Sequence, residues 1–210
     1  MSQDKKIKIG VLALQGAFVE HIHVLKRLPQ VSDAVPIRTP EEFQGSQIDA
    51  LVIPGGESTS IALVAERSGL LDHLRNWVKS GKPTWGTCAG MILLSNHATH
   101  TKLGGQKLIG GLDVVVQRNA FGAQVDSFSA PLTIDGVAGE PFPAVFIRAP
   151  IIESVGSDVE VIARLDASRD ERIVAVKQGH LLATAFHPEL TSDDRFHRLF
   201  VEHALAHLSS

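Results

Sequence analysis

The sequence predicts an α/β fold in three layers: a mixed, mainly parallel central sheet with helices on both faces, plus added antiparallel strands. Three observations carry that expectation. Short β-branched apolar runs alternate with amphipathic stretches through the first half of the chain, which is the pattern of β-α-β units. After about residue 105 the pattern changes to closely spaced extended segments with little between them. The loops richest in chemical groups each follow a strand, which is where open α/β sheets hold their ligands.

In chain order, residues 7–14 read as a buried strand and residues 17–28 as a helix with Phe18, Ile22 and Leu25 on one face. Residues 35–38 form a weaker strand. Residues 50–53 are a buried strand that ends in Pro54-Gly55-Gly56, with a helix from about Thr59 and another over residues 70–79, before Gly81. Residues 83–87 give the next strand and 91–94 an apolar helix. The second half supplies extended segments at 112–116, 125–134, 144–147, 159–163, 173–176 and 181–186. Gln178-Gly179-His180 is a hairpin turn between the last two, and Ser192 starts a final helix reaching about Leu208. No repeat, linker or low-complexity tract divides the chain, so residues 1–210 are expected to form one domain.

Composition narrows the class of function. With 44% hydrophobic and 20% charged residues the chain can bury one substantial core, and a net charge of -3 offers no broad positive field for nucleic acid or an anionic bilayer. Neither is an expected partner. The single cysteine permits no internal disulfide, and the start runs into a strand without a signal-peptide apolar region, so a cytoplasmic setting is expected. No apolar run approaches the roughly 20 residues of a membrane span.

Trp85-Gly86-Thr87-Cys88-Ala89-Gly90 places the cysteine between a strand and a helix. The G-x-C-x-G pattern is the thiol counterpart of the nucleophile elbow, and a helix N-terminus favours thiolate. The competing reading is an inert buried thiol. His187-Pro188-Glu189 follows the strand 181–186. Residues two apart in extended chain face one side, so Glu189 can orient the His187 imidazole and stabilise its charge. Taken with Cys88, the pair completes thiol, base and carboxylate. Pro54-Gly55-Gly56-Glu57-Ser58 brings paired glycines between strand and helix, where backbone N–H groups can hold an oxyanion. An ordinary turn with Ser58 as N-cap is the alternative.

Together the three loops resemble the class I triad glutamine amidotransferases, and more closely the PdxT/SNO glutaminase subunits of pyridoxal 5′-phosphate synthase. The resemblance spans the chain through Gly10 to Ala17 (G-V-L-A-L-Q-G-A) with Glu20-His21, Pro54 to Thr59 (P-G-G-E-S-T), Gly86 to Gly90, Arg118-Asn119-Ala120-Phe121-Gly122, Phe146 to Pro150 and His187 to Leu190. It implies a flavodoxin-like sheet, a triad of Cys88, His187 and Glu189, and glutamine-binding positions at Gly56, Glu57, Ser58, Arg118, Ile147 and Arg148. Ala123 departs from the basic residue common in the family after R-N-A-F-G. The implied reaction is hydrolysis of L-glutamine to glutamate and ammonia through a thioester, with an oxyanion at backbone N–H groups near Gly56 and Ala89. The implied partner is a synthase subunit (PdxS/SNZ type) that consumes the ammonia inside a large hetero-oligomer. Gln15 to Glu20, after the first strand, is expected to touch that partner and help order the oxyanion loop.

Other readings compete with this one. His203 with His207, and His21 with His23, have spacings that invite a metal, but both pairs read better as polar faces of amphipathic helices, so no metal or other cofactor is expected. Trp77 and Trp85 read as packing residues. A DJ-1/PfpI-like cysteine hydrolase shares the elbow, although there the histidine tends to follow the cysteine closely. A glutaminase subunit of another amidotransferase pathway, and a non-catalytic subunit, are the remaining alternatives.

Overall fold

A computed structural model describes residues 5–99, 106–118 and 127–209. The first half runs β1 (Ile7–Leu12), α1 (Phe18–Lys26), β2 (Val31–Ile37), α2 (Pro40–Gly45), β3 (Ala50–Ile53), α3 (Ser58–Arg67), α4 (Leu70–Lys79), β4 (Thr84–Thr87) and α5 (Ala89–Leu94). The second half adds β5 (Ser95–Thr99), β6 (Leu112–Gln117), β7 (Ser127–Leu132), β8 (Phe142–Ile147), β9 (Ile151–Val155), β10 (Glu160–Arg164), β11 (Ile173–Gln178), β12 (Leu181–Thr184) and α6 (Arg195–His207).

The main sheet has the order β2-β1-β3-β4-β12-β11-β9-β6-β5, with β10 paired to β11, while β7 and β8 form a separate antiparallel ribbon. Pairing is parallel from β2 to β12 and antiparallel from β12 through β11 and β9 to β6. The mixed sheet is therefore the expected one, with its parallel half built from the β-α-β units. Residues in β3 and β4 are all buried, as strands covered on both faces must be. Trp85 sits at the centre, packed against Phe196 and Phe200 of α6. One contiguous apolar cluster runs from Ile7 to Ala204.

Several expectations shift. Periodicity alone does not reveal α2, β5 or β9. α2 is short and buries none of its residues, so it carries no apolar stripe; Thr39 accepts from the Glu42 amide and Pro40 occupies the first turn. The final helix begins at Arg195, because Asp193 holds the Arg195 amide and side chain in a turn. His21 does not lie on a polar helix face: it is fully buried beneath α1. Residues 119–126, which include the rest of the R-N-A-F-G segment and Ala123, lie outside the described residues.

Candidate functional site

Strands β1, β3, β4 and β12 are adjacent and parallel. Their carboxyl ends therefore deliver four loops to one edge: Gln15, Pro54 to Ser58, Cys88, and His187 to Glu189. The spatial order of strands, which sequence cannot give, is what brings these loops together.

Cys88 adopts φ 49° and ψ -102°, a left-handed conformation that a residue with a β-carbon enters only at a cost. Its amide donates to the Thr184 carbonyl at 2.7 Å, tying the elbow to β12. Gly90 makes the turn possible, since a β-carbon there would overlap the Ile53 carbonyl. Gly55 has the same role on the other side, where a β-carbon would strike the His187 ring and reach the Cys88 β-carbon. The small residues of both motifs thus let β3, β4 and the imidazole converge.

His187 is nearly buried, and its amide donates to the Val145 carbonyl of β8 at 2.8 Å. Its Nδ1 lies 2.8 Å from Glu189 Oε1, and its ring lies with the Cys88 β-carbon around Gly55. Burial opposes the charge on this ring. The hydrogen bonds and charges of Cys88 and Glu189 outweigh it and raise His187 to about 10. Glu189 does reach His187, but not along extended chain: residues 188–190 turn in a 3-10 helix that curls the carboxylate back under the ring.

The six expected glutamine-binding positions divide. Glu57, not Ser58, is the N-cap of α3, accepting from the Thr59 and Ser60 amides at 3.0 and 2.7 Å and from the Ser60 hydroxyl. Burial pushes the Glu57 carboxyl up, yet these hydrogen bonds prevail and lower it to about 2. Arg118 pairs with Glu57 at 3.2 Å, so these two are together. Ser58 is buried and donates to Gln106 Oε1 at 3.2 Å. Gln106 is a residue that sequence reasoning missed, and no motif marks it. Gly56 is exposed just before Glu57, and Ile147 and Arg148 are exposed at the end of β8, two and three residues beyond the carbonyl that holds His187. Ala89 opens α5 directly after the thiol. Gln15 is exposed, with its Oε1 accepting from the Glu57 amide at 2.8 Å, and Glu20 is exposed on α1.

Among the described residues, no group of three or more His, Cys, Asp or Glu side chains is arranged around a common metal position, and no helix is long and apolar enough to cross a membrane. His203 and His207 sit with His180, whose ring lies 5.7 Å from that of His207.

The chain is similar to known proteins across nearly all its length. The pyridoxal 5′-phosphate synthase subunit PdxT of Streptomyces coelicolor is 52% identical over 196 residues, covering 92% of each chain. The protein of the same name from Parafrankia is 53% identical over 195 residues, covering 93% of this chain and 92% of that one. A crystal structure of a glutamine amidotransferase superimposes with a TM-score of 0.82 at 45% identity, covering 93% of this chain and 98% of that one. A putative GMP synthase component from Thermoplasma acidophilum, 18% identical with a TM-score of 0.62, shares the fold over 97% of this chain and 96% of that one. The SNO glutamine amidotransferase family profile matches residues 11–206, and the chain belongs to that family.

Proposed function

We propose that Cys88, His187 and Glu189 are the catalytic triad of this glutaminase. The observation that carries the reading is one buried histidine that meets a carboxylate at Nδ1 and converges with a strained elbow cysteine on the same face of Gly55. With Nδ1 given to Glu189, His187 keeps Nε2 for the sulfur. An imidazolium there stabilises a thiolate, which attacks the side-chain amide carbon of glutamine. The oxyanion is held by backbone N–H groups at Gly56 and Ala89. His187 gives its proton to the departing nitrogen, the C–N bond breaks and ammonia leaves a thioester. Water, deprotonated by His187, then releases glutamate and restores the thiolate.

The glutaminase supplies ammonia for pyridoxal 5′-phosphate synthesis, as the function of its named relatives implies. The acceptor chemistry belongs to a synthase subunit, in a cytoplasmic hetero-oligomer. Residues 1–210 act as a single glutamine amidotransferase domain, supported by the continuous core. In this reading the rim of Gly56, Glu57, Ser58, Arg118, Ile147 and Arg148 binds glutamine. Since the Glu57 carboxylate is engaged by α3 and Arg118, it orients that rim as well as offering negative charge to the substrate ammonium. Kinship with the SNO family removes the motive for a DJ-1-like hydrolase.

Glutamate release measured with the synthase subunit present tests the triad: Cys88→Ala is expected to lose at least ~10⁴-fold in rate. Wild-type-like turnover by that variant would refute the assignment. Gln15 and Glu20 are assigned to the partner surface, with Gln15 passing contact to the oxyanion loop through its hydrogen bond to the Glu57 amide. Gln15→Ala should lower the synthase-stimulated rate by about tenfold; an unchanged stimulated rate and unchanged complex formation would remove that role.

A further inference from the structure

Behind the triad lies a second pair of buried imidazoles that the reaction as written does not use. His21 of α1 and His197 of α6 are both fully buried, and His21 Nδ1 is 3.0 Å from His197 Nε2. His21 Nε2 points the other way, 3.4 Å from Glu189 Oε2 and 3.5 Å from the Thr87 hydroxyl. Trp85 fixes both rings edge-on, at 5.3 Å from His21 and 5.1 Å from His197. Glu189 Oε2 makes no hydrogen bond among the described residues, so the nitrogen facing it is a loose contact of the kind that tightens as charge develops.

The proton positions follow from what burial penalises. Burial, then His197, then the charge of His187 hold His21 well below the ordinary histidine range, and burial with Arg27, against the opposing charge of Asp194, takes His197 to about 3. Each ring then has one N–H. A proton on His21 Nδ1 would turn the Nε2 lone pair toward a carboxylate and leave an N–H on His197 Nδ1 buried without an acceptor. The opposite arrangement aims His21 Nε2–H at Glu189, lets Nδ1 accept from His197 Nε2–H, and leaves only a lone pair unused at His197 Nδ1. It also supplies a donor that carries no charge, so Glu189 remains the counter-ion of His187 alone.

Building on the triad reading, we propose that His21 is a positioning residue that presents Nε2–H to the second oxygen of Glu189, with His197 fixing the tautomer that makes this possible. The groups facing His21 are Glu189 and His187 from the loop after β12, His197 from α6, and Thr87 at the end of β4. Glu20 and His23 lie on its own helix, and Asp194 and Arg27 act on His197.

The discriminating pair is His21→Asn, whose amide can replace Nδ1 and keep the link to His197, and His21→Gln, whose amide can reach the Nε2 position. Cys88 is the chain's single cysteine, so alkylation by iodoacetamide across pH reads the imidazolium–thiolate pair directly, in the full chain. For His21→Asn the alkylation profile should move toward higher pH by about half a unit or more, and kcat with the synthase subunit should fall about tenfold with KM within about twofold. His21→Gln should recover most of both. A wild-type profile in His21→Asn, or an equal shift in His21→Gln, overturns the proposal. So does nitrogen NMR of the wild-type chain placing the His21 proton on Nδ1, a measurement that needs no variant to fold. Alkylation requires no glutamine: expected profiles without glutamate release would count against the glutaminase reading and leave the role of His21 standing.

Discussion

Cys88 joins strain to chemistry in one residue. Its positive φ lifts the thiol off the end of β4, and that conformation persists because its amide is fastened to Thr184 and because Gly90 lets the next turn lie against Ile53. Gly90→Ala tests this. The new methyl group must displace the β3 carbonyl, so stability should fall by ~1–3 kcal/mol in urea unfolding and glutaminase activity by more than about tenfold. A folded Gly90→Ala with wild-type activity would mean that the close approach is not what shapes the elbow. Much of this site is legible in the sequence, since a thiol between glycines and an H-P-E segment are local patterns whose chemistry can be read from residue type. His21 and Gln106 are not. Each acts through a partner far along the chain, His197 and Ser58 respectively, and nothing in their immediate sequence announces the contact.

At the scale of elements, α3 shows how one side chain caps a helix and, in the proposed function, also borders the glutamine site. Glu57 closes the first turn of the helix with both carboxylate oxygens, and the same Oε1 meets Arg118. Glu57→Ala removes the cap and frees the guanidinium, so thermal unfolding should fall by about 2–4 °C, equivalent to ~1 kcal/mol. Glutamine KM should rise in parallel. A KM effect without any loss of stability would separate the two roles and show that the cap contributes nothing. The elements themselves are readable where burial is one-sided or complete: β3 and α4 fall where apolar spacing puts them. Those that escape the sequence have other causes. α2 rests on capping by Thr39 and on the aromatic contact of Phe43 with Trp77 rather than on an apolar stripe, and Asn96 and His97 of β5 are exposed as it pairs with β6 at the sheet edge. β9 follows directly on Ala149-Pro150, and its five residues bury no alternating set that would give a period of its own.

Across the whole molecule, the buried imidazoles should give stability a pH optimum whose two flanks have different owners. His187 is raised to about 10 in the folded chain from an ordinary 6.5, so the stabilisation tied to its proton is complete below about 6.5 and drains away as pH climbs toward 10. His197 is depressed to about 3, and His21 also lies low. For these two the unfolded chain binds protons more readily between about 6.5 and 3, so stability falls as pH drops through that window. Thermal unfolding followed by circular dichroism from pH 4 to 10 should therefore peak near about pH 6–7. The flanks can be assigned by substitution. In His187→Gln the alkaline decline should flatten while the acid decline persists, because the α1–α6 imidazoles are untouched. In His197→Phe the acid decline should become shallower, keeping the share that belongs to His21, while the alkaline side persists. If the alkaline flank of His187→Gln were as steep as that of the wild type, His187 would not carry its proton into the folded state, and the proposed role of its imidazolium would lose its physical basis.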